Sequence, residues 1–166
     1  MGTICVLAGC GGDRQASQPL ARHHQGVVAY VNDGDTLRLT DGRRVRLVQI
    51  DAPELGTDCY GPGARRALIR LAPPGTRVTL ERDPALDAVD RYGRILRYVV
   101  VGGRNVNLEL VAEGAAEPYF FHADRGRVAH ALLAAAKAAR ARRLGLWGAC
   151  PNARLAPRLG AVTGPA

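Results

Sequence analysis

The sequence predicts an α+β fold built around a small, closed β-barrel. Three observations carry this prediction. Five short strand patterns start as a meander, a helical pattern interrupts them after the third strand, and two further helical patterns follow the fifth. A five-stranded barrel of the OB type with about three packed α-helices fits this order of elements. The chain of 166 residues is long enough for one such domain and its hydrophobic core.

The first three strands form the meander. Residues 26–32 are rich in valine, which favours a strand, and residues 36–40 alternate leucine with polar side chains. The Asp-Gly step at 41–42 predicts a tight hairpin turn into the third strand, residues 45–50. Pro53 lies just beyond that strand, and proline cannot continue a central strand.

A helix and two more strands follow. Residues 63–71 place alanine and leucine at helical spacing, and the Pro-Pro-Gly run at 73–75 stops the helix. Residues 77–81 and 95–101 are rich in β-branched and other apolar side chains, so they predict the fourth and fifth strands.

Two helical patterns complete the domain. Asn105 or Asn107 can cap a short helix that ends at Gly114. A long alanine-rich helix is predicted over residues 127–144 because its propensity is high and its apolar residues form a stripe. Residues 145–147 are expected to dock the end of the domain.

The chain is strongly basic, with a formal net charge of +8. Lys137 is the single lysine among 23 basic side chains, so arginine dominates. Guanidinium groups bind phosphate in a bidentate manner, which favours a polyanion such as nucleic acid as the partner. A G+C-rich codon supply would produce the same arginine excess, and the charge alone leaves both explanations open.

The N-terminus has the pattern of a lipoprotein leader. Leu7-Ala8-Gly9-Cys10 resembles the lipobox of bacterial lipoproteins, in which cleavage before the cysteine lets its thiol carry a lipid. We therefore expect an exported protein that is extracellular or associated with the cell envelope, tethered to a membrane through lipidated Cys10. The alternative is an ordinary N-terminus with a chance motif, because residues 1–9 contain no basic side chain.

Cys59 and Cys150 frame most of the domain. Export would permit a disulfide bond between them because oxidising compartments allow such bonds, and two reduced, buried thiols are the alternative. The chain then divides into a leader and flexible linker (1–25), one domain (26–150) and a disordered tail (151–166).

Two acidic turns should meet at one end of the predicted sheet. Asp35 starts the second strand and Asp51 ends the third, and a hairpin joins those strands. Two carboxylates that converge there form a hard-oxygen site suited to Ca²⁺ or Mg²⁺. Taken alone, the segment around Asp35 or the segment around Asp51 is more typical of an ordinary turn.

Further motifs follow the two acidic turns along the chain. Together, the turns and these motifs resemble the thermonuclease, or staphylococcal nuclease, family. Residues 90–94 (DRYGR) look like the second arginine motif of that family, residues 107–111 (NLELV) like its following helix, and residues 145–147 (GLW) like its closing segment. The resemblance covers residues 26–150, in order.

The resemblance implies an OB-fold nuclease that uses Ca²⁺ to hydrolyse DNA and RNA, leaving 3′-phosphate and 5′-hydroxyl ends. Matched residue by residue, Asp35 and Asp51 would bind calcium through their carboxylates, and Ala52 through its backbone carbonyl. Glu54 would activate or position the attacking water. Single-stranded or frayed nucleic acid is the expected substrate, and a monomer is the expected state.

The same resemblance gives roles to basic and aromatic residues. Arg46 and Arg94 would clamp the scissile phosphate, and Tyr92 and Tyr119 match tyrosines of the nucleotide pocket. Arg91 stands where the family has a lysine, so it would keep the positive charge at the substrate but not the geometry of an ammonium group.

The sequence is also compatible with a second function. Barrels of this kind also bind single strands without cutting them, so the alternative is a non-catalytic nucleic-acid-binding module on an envelope lipoprotein. Loss of Arg46, Glu54 or Arg94 would favour that alternative, and all three are present. For each arginine a surface ion pair is the simpler role, for example Arg94 with Asp90.

Overall fold

The computed structural model describes residues 24–165. The predicted leader, and with it the predicted lipidation at Cys10, lies outside the described residues. Among residues 24–165, no helix has the length and apolar character needed to cross a membrane.

In the described part of the chain the fold consists of eight strands, three of which are only two residues long and lie outside the barrel, and four α-helices. The strands are β1 (Gln25–Val31), β2 (Thr36–Leu39), β3 (Arg44–Leu47), β4 (Ile50–Asp51), β5 (Arg77–Glu81), β6 (Ile95–Val101), β7 (Arg104–Asn105) and β8 (Glu117–Pro118). The helices are α1 (Gly61–Leu71), α2 (Val106–Ala112), α3 (Ala129–Ala141) and α4 (Leu146–Ala149), with a 3₁₀ turn at Phe121–Ala123.

Five strands close into a barrel. The antiparallel neighbours run in the order β3, β2, β1, β5 and β6, and a parallel pairing of β3 with β6 closes the ring. In that closing pair Val45 lies opposite Ile95 and Arg46 opposite Leu96. The closed five-stranded barrel with packed helices confirms the predicted OB-type α+β fold.

The core fills the barrel and the space beneath the helices. Alternate residues of the strands point inward, and Leu37, Leu39, Val45 and Leu47 are almost completely buried. The predicted spacing of α1 also holds, because its alanine and leucine side chains face the same core. Burial of this apolar surface is the main stabilising term for the domain.

The third strand is shorter than predicted. It ends at Leu47, and Gln49 adopts a left-handed backbone conformation with φ of 63° before β4 begins at Ile50. The buried Gln49 side chain compensates for this turn, since its Oε1 accepts a 2.8 Å hydrogen bond from the Tyr98 hydroxyl. The amide of Tyr119 donates to the Gln49 carbonyl. Periodicity could not reveal this break, because the residues on either side of it are all apolar.

Asn105 and Asn107, near the start of α2, have different structural roles. Asn105 caps the helix, and its Oδ1 accepts a 3.1 Å hydrogen bond from the Leu108 amide. Asn107 is fully buried, accepts from the Val99 amide at 3.0 Å and donates to the Val48 carbonyl at 2.8 Å. The Asn107 carboxamide therefore fastens the helix to the barrel wall.

The long helix is also shorter than predicted, at Ala129–Ala141 instead of residues 127–144. Its N-terminal side is limited because the Arg127 amide donates to the Asp83 carboxylate at 2.7 Å. Its C-terminal side ends before Arg143, whose φ of 54° does not continue a right-handed helix.

The segment after Cys150 differs from the disordered tail expected from its composition. Residues 151–165 fold back on the domain, with a bridge between Arg154 and Val162 and another between Asp58 and Pro165. Thr163 is buried in this segment. The hydrogen bonds that hold it are largely made by backbone groups, which composition does not reveal.

A disulfide bond joins Cys59 to Cys150, across a sequence separation of 91. Cys59 precedes α1 and Cys150 follows α4, so the bond ties the loop after β4 to the end of the helical layer. Packing around the bond includes Leu146 and Trp147.

Replacement of both cysteines by serine should lower the free energy of unfolding by about 4 kcal/mol, because the open chain gains the entropy that the long loop had lost. Urea unfolding of the wild-type protein and of the double variant measures this difference. Dithiothreitol should shift the wild-type midpoint to that of the double variant and leave the double variant unchanged. A wild-type midpoint that does not respond to reductant would contradict the stabilising role.

Candidate active site

The Arg46 guanidinium joins the two predicted metal ligands. Arg46 points from β3 toward the end of the barrel, where its Nε lies 2.9 Å from Asp35 Oδ1 and its Nη2 lies 2.6 Å from Asp51 Oδ1. Its Nη1 donates to the carbonyls of Leu47 and Ile50, both at 2.6 Å. The structure therefore brings Asp35, Arg46 and Asp51 together at one end of the sheet, as the hairpin topology predicts.

Asp35 is the more buried of the two aspartates. Its Oδ2 accepts a 2.8 Å hydrogen bond from the Ala52 amide, and its Oδ1 accepts one from the Thr36 hydroxyl at 3.0 Å. Burial raises the pKa of Asp35 to about 7, and the nearby carboxylates of Asp33 and Asp51 add to this, whereas Arg46 opposes it. The site thus holds more negative charge than Arg46 alone neutralises.

This donor set fits a hard divalent cation. Asp33, Asp35, Asp51 and Glu54 all act electrostatically on the Arg46 guanidinium, which is their shared positive neighbour. Within residues 24–165 no group of three or more His, Cys, Asp or Glu side chains is placed to hold a metal. Two carboxylates would therefore need backbone carbonyl and water oxygens to complete the shell, which is the coordination that calcium accepts.

Glu54 lies on an exposed loop beside this cluster. Its amide donates to Asp58 Oδ2 at 3.0 Å, and its carbonyl accepts from the Asp58 amide at 3.1 Å, which fixes the loop backbone. Partial burial raises the pKa of the Glu54 carboxyl above its ordinary value, and Asp33, Asp51 and Asp58 raise it further, against the effect of Arg46. The side chain is free to face solvent and to contact a bound molecule.

Arg94 reaches the same region from the start of β6. Its Nε lies 2.7 Å from Asp90 Oδ2, and its Nη1 donates to the Thr36 hydroxyl at 3.3 Å. Thr36 therefore contacts both Asp35 and Arg94. Asp90 also accepts the amides of Tyr92 and Arg94, both at 2.9 Å, and these bonds hold its pKa below the usual range although burial acts against them.

A cleft of about 450 Å³ unites the predicted substrate residues. Arg46 and Arg94 line it from the barrel, and the Arg91 guanidinium lies over the ring of Tyr92, 4.8 Å from its centroid. The rings of Tyr119 and Phe121 form another part of the wall, with centroids 6.4 Å apart. Asp35, Asp51, Ala52 and Glu54 do not line this cleft, and the two aspartates adjoin it through their ion pairs with Arg46.

Several site residues carried little or no signal in the sequence. Thr36 bridges Asp35 and Arg94, and its position next to Asp35 is the one feature that could have suggested it. Apolar side chains between the two arginines complete the cleft, namely Leu86, Val89 and Leu96. Those leucines and valines are indistinguishable from core residues by type alone.

The buried carboxylate of Glu117 belongs to the strand that pairs with Asp51. Glu117 pairs with Asp51 in the short ladder between β4 and β8, and it is fully buried. Burial raises its pKa to about 7, and the charge of Asp51 adds to the effect, whereas the backbone amides of Ala156 and Val162 act in the opposite direction. Glu117 is not among the site residues predicted from the sequence.

A cleft of this kind, with cationic and aromatic walls on an OB-type barrel, suits a polymer that carries phosphates and bases. The family model described as staphylococcal nuclease homologue matches residues 44–149. The micrococcal nuclease of Shigella flexneri is 36% identical over 151 residues, which cover 83% of this chain and 81% of that protein. The thermonuclease of Staphylococcus intermedius is 33% identical over 131 residues, covering 73% of this chain and 74% of its own.

A longer relative gives the same result for part of its length. Endonuclease YhcR of Bacillus subtilis is 33% identical over 152 residues, which are 81% of this chain but 12% of that protein. The chain belongs to the staphylococcal nuclease family. Its relatives support an endonuclease function, and with it the chemistry of a hydrolase.

Asp90→Asn should lower the rate of nucleic-acid cleavage by about a hundredfold, because the amide nitrogen would repel Arg94 Nε and displace the guanidinium. Cleavage of a single-stranded DNA substrate measures the effect. Asp41→Asn is the matched control, since Asp41 makes a comparable 2.7 Å ion pair with Arg43 away from the cleft. Equal cleavage rates in the two variants would contradict the role of Asp90.

Proposed function

We propose that the protein is a calcium-dependent endonuclease that hydrolyses phosphodiester bonds of DNA and RNA. The observation that carries the proposal is the position of Arg46 and Arg94 on one cleft, with Asp35 and Asp51 held at its edge by Arg46 itself. Phosphodiester cleavage builds negative charge on the phosphate oxygens, and two guanidiniums would stabilise that charge where it develops.

Calcium is the proposed cofactor because of the donor set. Asp35 and Asp51 would bind it through carboxylate oxygens and Ala52 through its backbone carbonyl. When bound, the cation would polarise a phosphate oxygen and help to neutralise the charge that forms there. The excess of carboxylates around Arg46 supports this assignment.

Glu54 is the proposed general base. It would take a proton from a water molecule whose oxygen attacks phosphorus, while the bond between phosphorus and the 5′-oxygen breaks and that oxygen receives a proton. The products of this bond cleavage are a 3′-phosphate and a 5′-hydroxyl. Arg46 and Arg94 would hold the phosphate in line for attack, with Asp90 fixing the second of them.

The aromatic cleft wall favours unpaired substrates. Tyr92 and Phe121 expose more than half of their surface, and unstacked bases can bind such rings. Arg91 and Arg94 lie over the ring of Tyr92, so a nucleotide that binds beside this ring would have its phosphate close to two guanidiniums. We therefore propose single-stranded or frayed DNA and RNA as the substrates.

Digestion of single-stranded DNA by the purified protein, in Ca²⁺ or in EGTA, tests this function. Glu54→Gln should lower the rate by about 10²–10⁴-fold because the base is lost. Arg94→Ala should lower it by about 10²–10³-fold because one charge-stabilising donor is lost. Arg104→Ala is the control, since Arg104 is an exposed arginine outside the cleft.

The products give a second readout. Their 5′ ends should accept a labelled phosphate from a kinase without prior phosphatase treatment. Cleavage that persists in EGTA would overturn the calcium requirement. Tight binding of DNA with no cleavage by the wild-type protein would instead identify the non-catalytic binding module.

We also propose that the protein is exported and tethered to the cell envelope through a lipid on Cys10. The Leu7-Ala8-Gly9-Cys10 motif supports this, and a disulfide between Cys59 and Cys150 is compatible with an oxidising compartment.

Mass spectrometry of the mature protein from its native host tests the tether. The N-terminal residue should be Cys10, with a mass increase that corresponds to a diacylglyceryl group. Cys10→Ala should retain the leader and lack the diacylglyceryl mass. An N-terminus at Met1, or an unmodified Cys10, would reject the lipid anchor.

A further inference from the structure

The chain after the disulfide forms a strap over the edge of the site. We use the term C-terminal strap for residues 154–165. Its two arms meet where the Arg154 amide donates to the Val162 carbonyl at 3.0 Å, and Gly160 is buried at its turn. The strap lies beyond residues 44–149, the part matched by the family model.

The turn of the strap contacts a predicted metal ligand directly. The Ala161 amide donates a 2.9 Å hydrogen bond to Asp51 Oδ2, while Asp51 Oδ1 faces Arg46. Gly160 adopts a φ of 84°, and a Cβ placed on it would lie 2.4 Å from Asp51 Oδ2. The close approach of the strap to this carboxylate therefore depends on glycine.

The end of the strap contacts the loop that carries Glu54. The Cys59 amide donates to the Gly164 carbonyl at 3.0 Å, and Asp58 forms a bridge with Pro165. Asp58 in turn makes two hydrogen bonds with the backbone of Glu54. The strap is thus connected to both acidic elements of the site.

We propose that the C-terminal strap is a positioning element of the active site, which orients the Asp51 carboxylate for the divalent cation through the Ala161 amide. The inference rests on the proposed calcium-dependent function. Ligating carboxylates are commonly held by hydrogen bonds from outside the first coordination shell, and loss of such a bond weakens metal binding.

The geometry favours positioning over blockage. One amide donor uses a single lone pair of Asp51 Oδ2, so the carboxylate keeps lone pairs for a cation. The strap places its backbone against this ligand, and no basic side chain of the strap forms an ion pair with Asp51 in the described structure.

Two substitutions would disturb the contact in different ways. Ala161→Pro removes the N–H donor, and Gly160→Ala inserts a Cβ against Asp51 Oδ2. Ala161→Gly keeps the donor and is the matched control for the first. Gly103→Ala is the control for the second, because Gly103 has a similar φ of 80° and a Cβ placed on it would meet nothing within 4 Å.

Isothermal titration of the whole protein with Ca²⁺, in the absence of nucleic acid, is the primary measurement. Ala161→Pro and Gly160→Ala should weaken calcium binding by about 10- to 100-fold. The two controls should stay within about threefold of the wild type. Raising the Ca²⁺ concentration should restore DNA cleavage in both weakened variants, which a general loss of structure would not allow.

Hydrogen exchange of the wild-type protein supplies a test that needs no variant. If the strap orients Asp51 for the cation, binding is reciprocal and Ca²⁺ should slow amide exchange in residues 158–164. If the substituted proteins do not fold, this experiment still tests whether the strap orients Asp51.

The outcomes separate the two proposals. A wild-type protein that neither binds Ca²⁺ nor needs it for cleavage would overturn the calcium-dependent function and the strap inference with it. A wild-type protein that needs Ca²⁺, with unchanged affinity in both variants, would overturn the inference alone. Tighter calcium binding in the variants would also overturn it, because the strap would then be blocking the site.

Discussion

One guanidinium links the parts of the site to the barrel. Arg46 engages two carboxylates and two backbone carbonyls, which leaves one Nη2 hydrogen for a phosphate. Arg94 complements it, because the ion pair and the hydrogen bond described for its side chain involve Nε and Nη1 only. A phosphate could therefore receive donors from both arginines without breaking the ion pairs that hold Asp35 and Asp51. The burial of Arg46 requires those anions, since an unpaired buried charge would be strongly destabilising.

The charge of the whole molecule and the charge of the acidic cluster around Arg46 have opposite signs. The chain has a formal net charge of +8, which draws a polyanion toward it at low salt. The acidic cluster around Arg46 is a local exception, and it would repel the same polyanion unless a cation compensated it. A bound divalent ion would thus complete the electrostatics of the site as well as its chemistry.

The features of the fold and site that could be predicted are encoded in short local patterns of the sequence. Strand alternation and helical spacing revealed the barrel, and the hairpin between Asp35 and Asp51 revealed that the two acids meet. What escaped prediction depends on tertiary structure: the left-handed Gln49 interrupts an apolar run, and the fold-back after Cys150 uses backbone amides. Glu117 looked like any surface glutamate, because its burial depends on a segment more than thirty residues later.

The cleft also depends on closure of the barrel. Arg46 and Arg94 belong to segments almost fifty residues apart, and they share a cleft only after β3 has paired with β6. Pairing of such distant segments has an entropy cost, because it closes the long loop of chain between them. The two arginines therefore line one cleft only in the closed barrel. A chain whose barrel stays open therefore has every residue of the cleft but not the cleft itself.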